Sequence, residues 1–267
     1  MTSVDQPDDL GGEGWPYDAT AEYYSTDMGS SMPFDDVGWY RELCRQRGGR
    51  VLELGCGSGR ILLELLASGI DVTGIDRSMA MLRQLRLAAD QRQLRPRVVQ
   101  MDMRALCLVQ QFDVILAPYS LITGFCDTRE AISMLVQLRK LLTTNGCLVI
   151  DAFVPRPTEL YTDFHLDYRR PHGDNILQRE KRIDRFDDGC HRIFRRYTLL
   201  DSSSQVANRF TTAETIRPYS AGEIDQLAKA AELSVSSWHY DYGSKDCESS
   251  AQFATALLHS TQADANQ

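Results

Sequence analysis

Between residues 50 and 153, short apolar runs alternate with longer segments in which apolar residues recur three and four positions apart. The runs at 50–54, 71–75, 97–101, 112–117 and 147–153 are short and rich in Val, Ile and Leu, so they predict strands buried on both faces. Between them, 59–68 places Ile61, Leu62, Leu65 and Leu66 on one helical stripe, 78–93 opens on Ser78 as an N-cap, and a helix over 128–142 stops at the Asn145-Gly146 signal. Repeated strand–helix–strand units predict a parallel sheet with helices on both faces. Upstream, 17–28 and 35–47 predict two helices joined by a Gly/Ser/Pro break at 29–33.

After Pro155 helical spacing is lost. Residues 176–186, 190–200 and 206–217 predict three strands of an antiparallel insertion, the first two meeting at Phe186-Asp187-Asp188-Gly189-Cys190 with Gly in the left-handed position. Ser220 and Glu223 form a capping box that opens a helix to about Glu232, and strands at 233–240 and 250–259 follow. The organisation expected is a disordered N-terminus at 1–14, a core with N-terminal cap helices at 15–154, an antiparallel lid at 155–217, the last helix and two strands of the core at 218–260, and a tail at 261–267.

Composition is that of an ordinary globular chain, 43% hydrophobic and 25% charged. The 29 Lys+Arg against 37 Asp+Glu leave a net charge of −8, which argues against a nucleic-acid binder. No run approaches the roughly 18 apolar residues of a membrane helix, and 1–14 is acidic and Gly-rich, unlike a signal or transit peptide. Seven Cys without a C-x-x-C pair predict reduced thiols in a cytoplasmic protein and no metal site.

The candidate chemistry centres on Glu53-Leu54-Gly55-Cys56-Gly57-Ser58-Gly59-Arg60, which reads as a buried strand, a glycine turn and a helix start. Such a turn lets the backbone approach a ligand and points amide N–H groups at it. A dinucleotide site is written G-x-G-x-x-G; here the third glycine comes one residue early, and position 60 is Arg. The spelling instead resembles motif I of class I S-adenosylmethionine (SAM)-dependent methyltransferases, in which this loop wraps the amino-acid part of SAM. The resemblance runs over about residues 15–155 and 220–259 and is weak over the insertion. It implies a seven-stranded, mostly parallel Rossmann-like sheet with a reversed last strand, and SAM as cofactor, leaving S-adenosylhomocysteine (SAH).

Carried residue by residue, the resemblance assigns Glu53, Gly55, Cys56, Gly57 and Gly59 to the loop and Asp76, at the tip of the second strand, to the ribose hydroxyls. Arg77 and Met81 fall where the family packs the adenine, and Asp102-Met103 where an acid and the next N–H bond its ring. Ala117 ends the fourth strand under the expected methyl. DNA amino-methyltransferases place Asp, Asn or Ser there, so Ala117 speaks against nucleic-acid methylation. Tyr17-Asp18-Ala19-Thr20-Ala21-Glu22-Tyr23-Tyr24 resembles the opening of small-molecule methyltransferases, with Ser25 in place of the second Asp; it makes Tyr17 and Tyr24 candidate SAM contacts, against the alternative that they simply pack the helix.

Methyl transfer is an in-line displacement that needs a base only where the nucleophile carries a proton. His165 and His172, in the segment leaving the fifth strand, are the candidate bases, against the simpler reading of solvated loop histidines; Tyr119 is the candidate residue beside the methyl. Residues 169–196 hold nine Lys+Arg and five Asp+Glu, best read as an exposed sheet guarding its edges. The expected reaction is methylation of N, O or C on a small molecule, N being favoured by analogy with lid-bearing relatives. The expected partners are that acceptor and, at most, a second copy in a homodimer, with neither nucleic acid nor membrane. The rivals are an NAD-dependent oxidoreductase and a non-catalytic SAM-binding protein.

Overall fold

The computed structural model describes residues 16–28, 34–155 and 163–261; the expected N-terminal disorder at 1–14, the break at 29–33 and the tail beyond Thr261 lie outside these. The chain divides into two compact units, one formed by 32–156 with 217–267 and the other by 1–31 with 157–216.

The larger unit is built on a seven-stranded sheet. Its strands are β1 (Arg50–Leu54), β2 (Asp71–Asp76), β3 (Arg97–Gln100), β4 (Phe112–Ala117) and β5 (Leu142–Phe153), then β10 (Leu233–Tyr240) and β11 (Phe253–Ser260). Their order is β10-β11-β5-β4-β1-β2-β3. Strands β1 to β5 pair in parallel, while β11 runs antiparallel to both neighbours. The expected seven-stranded, mostly parallel Rossmann-like sheet with a reversed last strand is therefore present.

Alternate residues of each strand feed opposite faces. Leu52, Leu54, Ile115, Leu148 and Ile150 pack against α6 (Thr128–Lys140) and α7 (Ala221–Ala230). Val51, Val72, Val114, Leu116 and Val149 pack against α3 (Asp36–Arg47), α4 (Leu62–Ala67) and α5 (Met79–Gln91). With both faces covered, no polar alternation is possible, which is why these strands read as unbroken apolar runs. Strand β5 starts earlier than its apolar run: Leu142 already pairs with Phe112, and the register shifts before Cys147 pairs with Val114. The Asn145-Gly146 signal marks this irregularity within the strand, and α6 ends before it at Lys140.

The smaller unit contains a four-stranded antiparallel sheet, β6 (His165–His172), β7 (Asn175–Arg185), β8 (His191–Leu200) and β9 (Val206–Ile216), paired in chain order. Sequence reasoning found three of these strands and missed β6. Strand β6 is an edge strand with exposed Leu166 and with Pro171 near its end; its half-buried positions, Tyr168, Arg170 and His172, alternate with exposed ones but are mostly polar, so hydropathy shows neither an alternation nor a buried run. The hairpin at 186–190 forms as expected, with Gly189 at φ 84° and Phe186 N–H donating to the Cys190 carbonyl at 2.9 Å.

The expected helix over 17–28 is two short helices, α1 (Pro16–Thr20) and α2 (Tyr24–Met28), and they group with the antiparallel sheet instead of with the core. The cause is local. Tyr23 packs on Leu177 and Tyr197, while the buried Asp27 accepts hydrogen bonds from Tyr168, Arg179 and Tyr197. Arg170 adds a hydrogen bond to the Thr26 carbonyl at 3.0 Å. A buried carboxylate is retained only when it is paired in this way.

Candidate functional site

Parallel strands β1 to β5 end on one edge of the sheet, and chain order reverses between β1 and β4. That crevice is where open α/β sheets bind ligands. The glycine loop leaves β1 here, with Cys56 N–H still bonded to the Ile75 carbonyl at 3.0 Å. Gly57 has φ 52° and donates its N–H to Asp76 Oδ2 at 2.8 Å. Gly59 has φ 89°, and a Cβ there would lie 2.8 Å from Leu85 Cγ and 2.9 Å from Leu63 Cγ, so its role is close packing of helix against sheet. Met81 is buried on the other flank of the loop, its Cε 3.1 Å from where a Cβ on Gly57 would stand.

Asp76 ends β2 and braces the site. Its Oδ1 accepts from Ser78 N–H at 2.7 Å, while Oδ2 holds the loop. A carboxylate accepts up to about four hydrogen bonds, and this one stands at the strand tip to which the resemblance assigns the ribose hydroxyls. Asp102 follows β3; its Oδ1 accepts from Arg104 N–H at 2.9 Å, and Arg77 lies 3.5 Å from Oδ2. Met103 packs, half-buried, against the α6-side core.

Glu53 is 2% exposed, and its Oε2 has no hydrogen-bond partner among the described residues. Burial pushes its carboxyl up to about 8, against the opposing pull of Arg60. A buried, unsatisfied acceptor two residues before the glycine turn suits a ligand carrying a cationic amino group, as the amino-acid part of SAM does. Burial also pushes the Cys56 thiol well above its usual range, so it is inert packing. Arg60, the residue out of place for a dinucleotide motif, forms a paired contact with the buried Asp36 at 2.8 and 2.7 Å and ties the loop exit to the start of α3.

Ala117 ends β4, buried. Beyond Pro118, Tyr119 and Ser120 both take positive φ, 55° and 63°. Two consecutive non-Gly residues in the left-handed region need outside support. Tyr119 N–H donates to Asp151 Oδ2 at 3.1 Å, and Ser120 Oγ accepts from Phe153 N–H at 2.9 Å. Asp151, on β5 and fully buried, also accepts from Tyr40, from Tyr242 at 2.7 Å and from Thr255 at 2.8 Å. Burial raises its pKa against the pull of these donors. Sequence reasoning missed Asp151. The available signal was a carboxylate inside the apolar run Leu148-Val149-Ile150-Asp151-Ala152-Phe153, where an acid survives only if it is fully hydrogen-bonded.

The larger unit thus gathers Glu53, Gly55, Cys56, Gly57, Gly59, Asp76, Arg77, Met81, Asp102, Met103, Ala117 and Tyr119 on one sheet edge. The other four candidates belong to the smaller unit. There Tyr17 and Tyr24 meet edge to face at 6.2 Å. His165 is exposed at the start of β6, and His172 ends that strand with Nδ1 2.8 Å from Thr26 Oγ1 and its ring 5.1 Å from Tyr23. The two histidines therefore lie on a strand, where a loop was expected. Among the described residues no cluster of metal-ligating side chains occurs, and no helix is long and apolar enough to cross a membrane.

Residues 51–146 match the family model described as a methyltransferase domain. A curated relative, YqeM of Bacillus subtilis (strain 168), whose own assignment as a methyltransferase is provisional, is 30% identical over 138 residues, 51% of this chain and 54% of that protein. The chain spans about half the length of the curated relatives it matches. Among solved structures, an S-adenosylmethionine-dependent methyltransferase from Clostridium acetobutylicum ATCC 824 superposes with a TM-score of 0.75 at 18% identity, covering 91% of this chain and 98% of that one. The sugar N-methyltransferase KedS8 from Streptoalloteichus sp ATCC 53650 superposes with a TM-score of 0.70 at 22% identity, covering 97% and 98%. At these identities the superpositions establish the fold alone, which this chain shares with S-adenosylmethionine-dependent methyltransferases.

Proposed function

We propose, from the premise that residues 51–146 are a methyltransferase domain on a fold that uses S-adenosylmethionine, that this protein methylates a nitrogen of a small-molecule amine. The observation that carries the cofactor part is the Asp76 carboxylate, which holds the Gly57 N–H from the tip of the next strand. The likeness to a sugar N-methyltransferase supports the nitrogen acceptor.

When bound, SAM supplies a methyl already activated by its sulfonium. The chain's own residues then have three tasks. The loop from Gly55 to Gly59 and the Glu53 carboxylate hold the amino-acid end, Asp76 the ribose, and Asp102, Arg77, Met81 and Met103 the adenine. Ala117 and Tyr119 bound the space beyond the strand tip, keeping water out and the nucleophile in line. An amine protonated at neutral pH must shed a proton before it attacks, and His165 or His172 serves as that base. Tyr17 and Tyr24 complete the cofactor contacts.

Calorimetry with SAM, SAH and NAD tests the cofactor assignment. The expected result is saturable binding of SAM and SAH and none of NAD; no heat with SAM or SAH at millimolar concentration overturns it. The base assignment is tested by His165→Ala and His172→Ala. Both should keep SAM affinity within about threefold. With the true acceptor, the variant lacking the base should lose about 10²–10⁴-fold in kcat, partly restored at high pH. Unchanged rates in both variants at every pH remove the histidines from the mechanism.

A further inference from the structure

Beyond the strand tip, an aromatic surface stands on the same sheet edge as the cofactor residues. Phe153 ends β5 and remains 38% exposed, although it lies against Phe253 at 4.4 Å between ring centroids. Tyr119 meets Phe153 edge to face at 5.6 Å and Phe253 at 5.9 Å. The buried Phe253 thus backs two rings at the ends of β4 and β5. In the sheet order these strands lie on the far side of β1 from Asp76, so the aromatic pair is separated from the ribose position by two to three strand spacings, about 10–15 Å.

The orientation of this pair is held by a dedicated network. Asp151 fixes the Tyr119 N–H, and Ser120 Oγ takes the Phe153 N–H, so both rings hang from backbone positions pinned to each other. Asp151 is itself gripped by Tyr40, Tyr242 and Thr255 from three other segments. A buried carboxylate with four donors is far more support than an ordinary strand end needs, and it maintains two adjacent residues in the left-handed region.

We infer that Tyr119 and Phe153 form a two-ring wall, bent at 73°, against which a six-membered ring of the acceptor packs face-on to one ring and edge-on to the other, and that Asp151 is the positioning residue that holds this wall. The inference rests on the methyltransferase reading and names the acceptor class within it: an amine carried on a ring with an apolar face, either an arene or a pyranose. Aromatic side chains hold an arene in offset or edge-to-face contact, which adds about two- to tenfold to affinity beyond the area buried, and meet a pyranose through the C–H groups of its apolar face.

The test uses the full chain saturated with SAH, whose binding is measured first; failure at that stage overturns the methyltransferase reading and not the wall. Four probes are then titrated by ligand-observed NMR: benzylamine against n-hexylamine, and glucosamine against its open-chain alditol. The cyclic member of at least one pair should bind two- to tenfold tighter, and the pair that discriminates identifies arene or pyranose. Phe153→Ala should abolish that preference while leaving SAH affinity unchanged. Asp151→Asn should weaken the preference; should that variant fail to fold, Tyr242→Phe, which removes one donor, serves instead. Equal binding within both pairs, or a preference that survives Phe153→Ala, overturns the wall. A full preference in the folded Asp151 or Tyr242 variant overturns the positioning role.

Discussion

Replacing Asp76 with Asn tests whether one carboxylate braces the loop and also binds the ribose. In the ligand-free protein it accepts from Gly57 N–H at 2.8 Å and Ser78 N–H at 2.7 Å. Asn offers one acceptor oxygen and sets an NH₂ against the other backbone donor. A hydrogen bond to a charged group contributes about 1.5–3 kcal/mol. Asp76 is half-buried, so water recovers part of this and the expected loss of stability is about 1–2 kcal/mol. At about 2–4 °C per kcal/mol, the melting temperature without ligand should fall by about 2–8 °C. An expectation drawn from ribose binding alone would leave it unchanged. Losing a charge-assisted bond to the ribose should also weaken SAH at least about tenfold. A ligand at one hundred times its wild-type Kd stabilises by about 2.7 kcal/mol, and a tenfold weaker Kd leaves about 1.4 kcal/mol, so the SAH-induced shift in Tm should halve. Thermal unfolding with and without SAH, paired with calorimetry, reads both effects. A lower Tm with unchanged SAH affinity would refute the ribose role and leave Asp76 as a loop brace alone.

Three further outcomes are expected. Glu53 has a carboxyl pushed up to about 8 by burial, so between its ordinary value and about pH 8 the folded state binds more protons than the unfolded one, and stability falls as pH rises through this window. Glu53→Gln should therefore gain stability relative to wild type from pH 5 to pH 9 in urea unfolding; a constant difference across that range contradicts the burial argument. Asp151→Ala strips the acceptor from the buried hydroxyls of Tyr40, Tyr242 and Thr255 and should cost about 3–5 kcal/mol, whereas Tyr242→Phe should cost about 1 kcal/mol; equal costs in chemical denaturation would show that the network is not centred on Asp151. Gly59→Ala forces a Cβ to within 2.8 Å of Leu85 Cγ at φ 89° and should destabilise by more than about 1 kcal/mol, while Gly222→Ala, with nothing near its Cβ and inside α7, should be neutral or stabilising.

The order of elements from β1 to β5 and the cofactor edge were legible along the chain because each depends on neighbours in sequence. A strand covered on both faces must be a continuous apolar run, as at 112–117, and a tight turn against a ligand must be glycine, as at Gly57. Asp76 was legible for the same reason: it ends a strand whose position the apolar run already marks. Arg60 was visible as the residue that breaks a dinucleotide pattern, but its partner Asp36 was not, since nothing local to either residue encodes their meeting. Strand β6 escaped because the residues on its half-buried face, Tyr168, Arg170 and His172, are mostly polar, so its two-residue alternation of burial leaves no hydrophobic period in the sequence. The same limit hid the grouping of α1 and α2 with the antiparallel sheet, which depends on Asp27 meeting Arg179 and Tyr197 from strands more than a hundred residues away. Asp151 shows the division most plainly. The chain alone says that an acid sits within an apolar strand and must be satisfied; only the folding of β5 between β4 and β11, with α3 laid across that face, decides that Tyr40, Tyr242, Thr255 and the Tyr119 N–H are the groups that satisfy it.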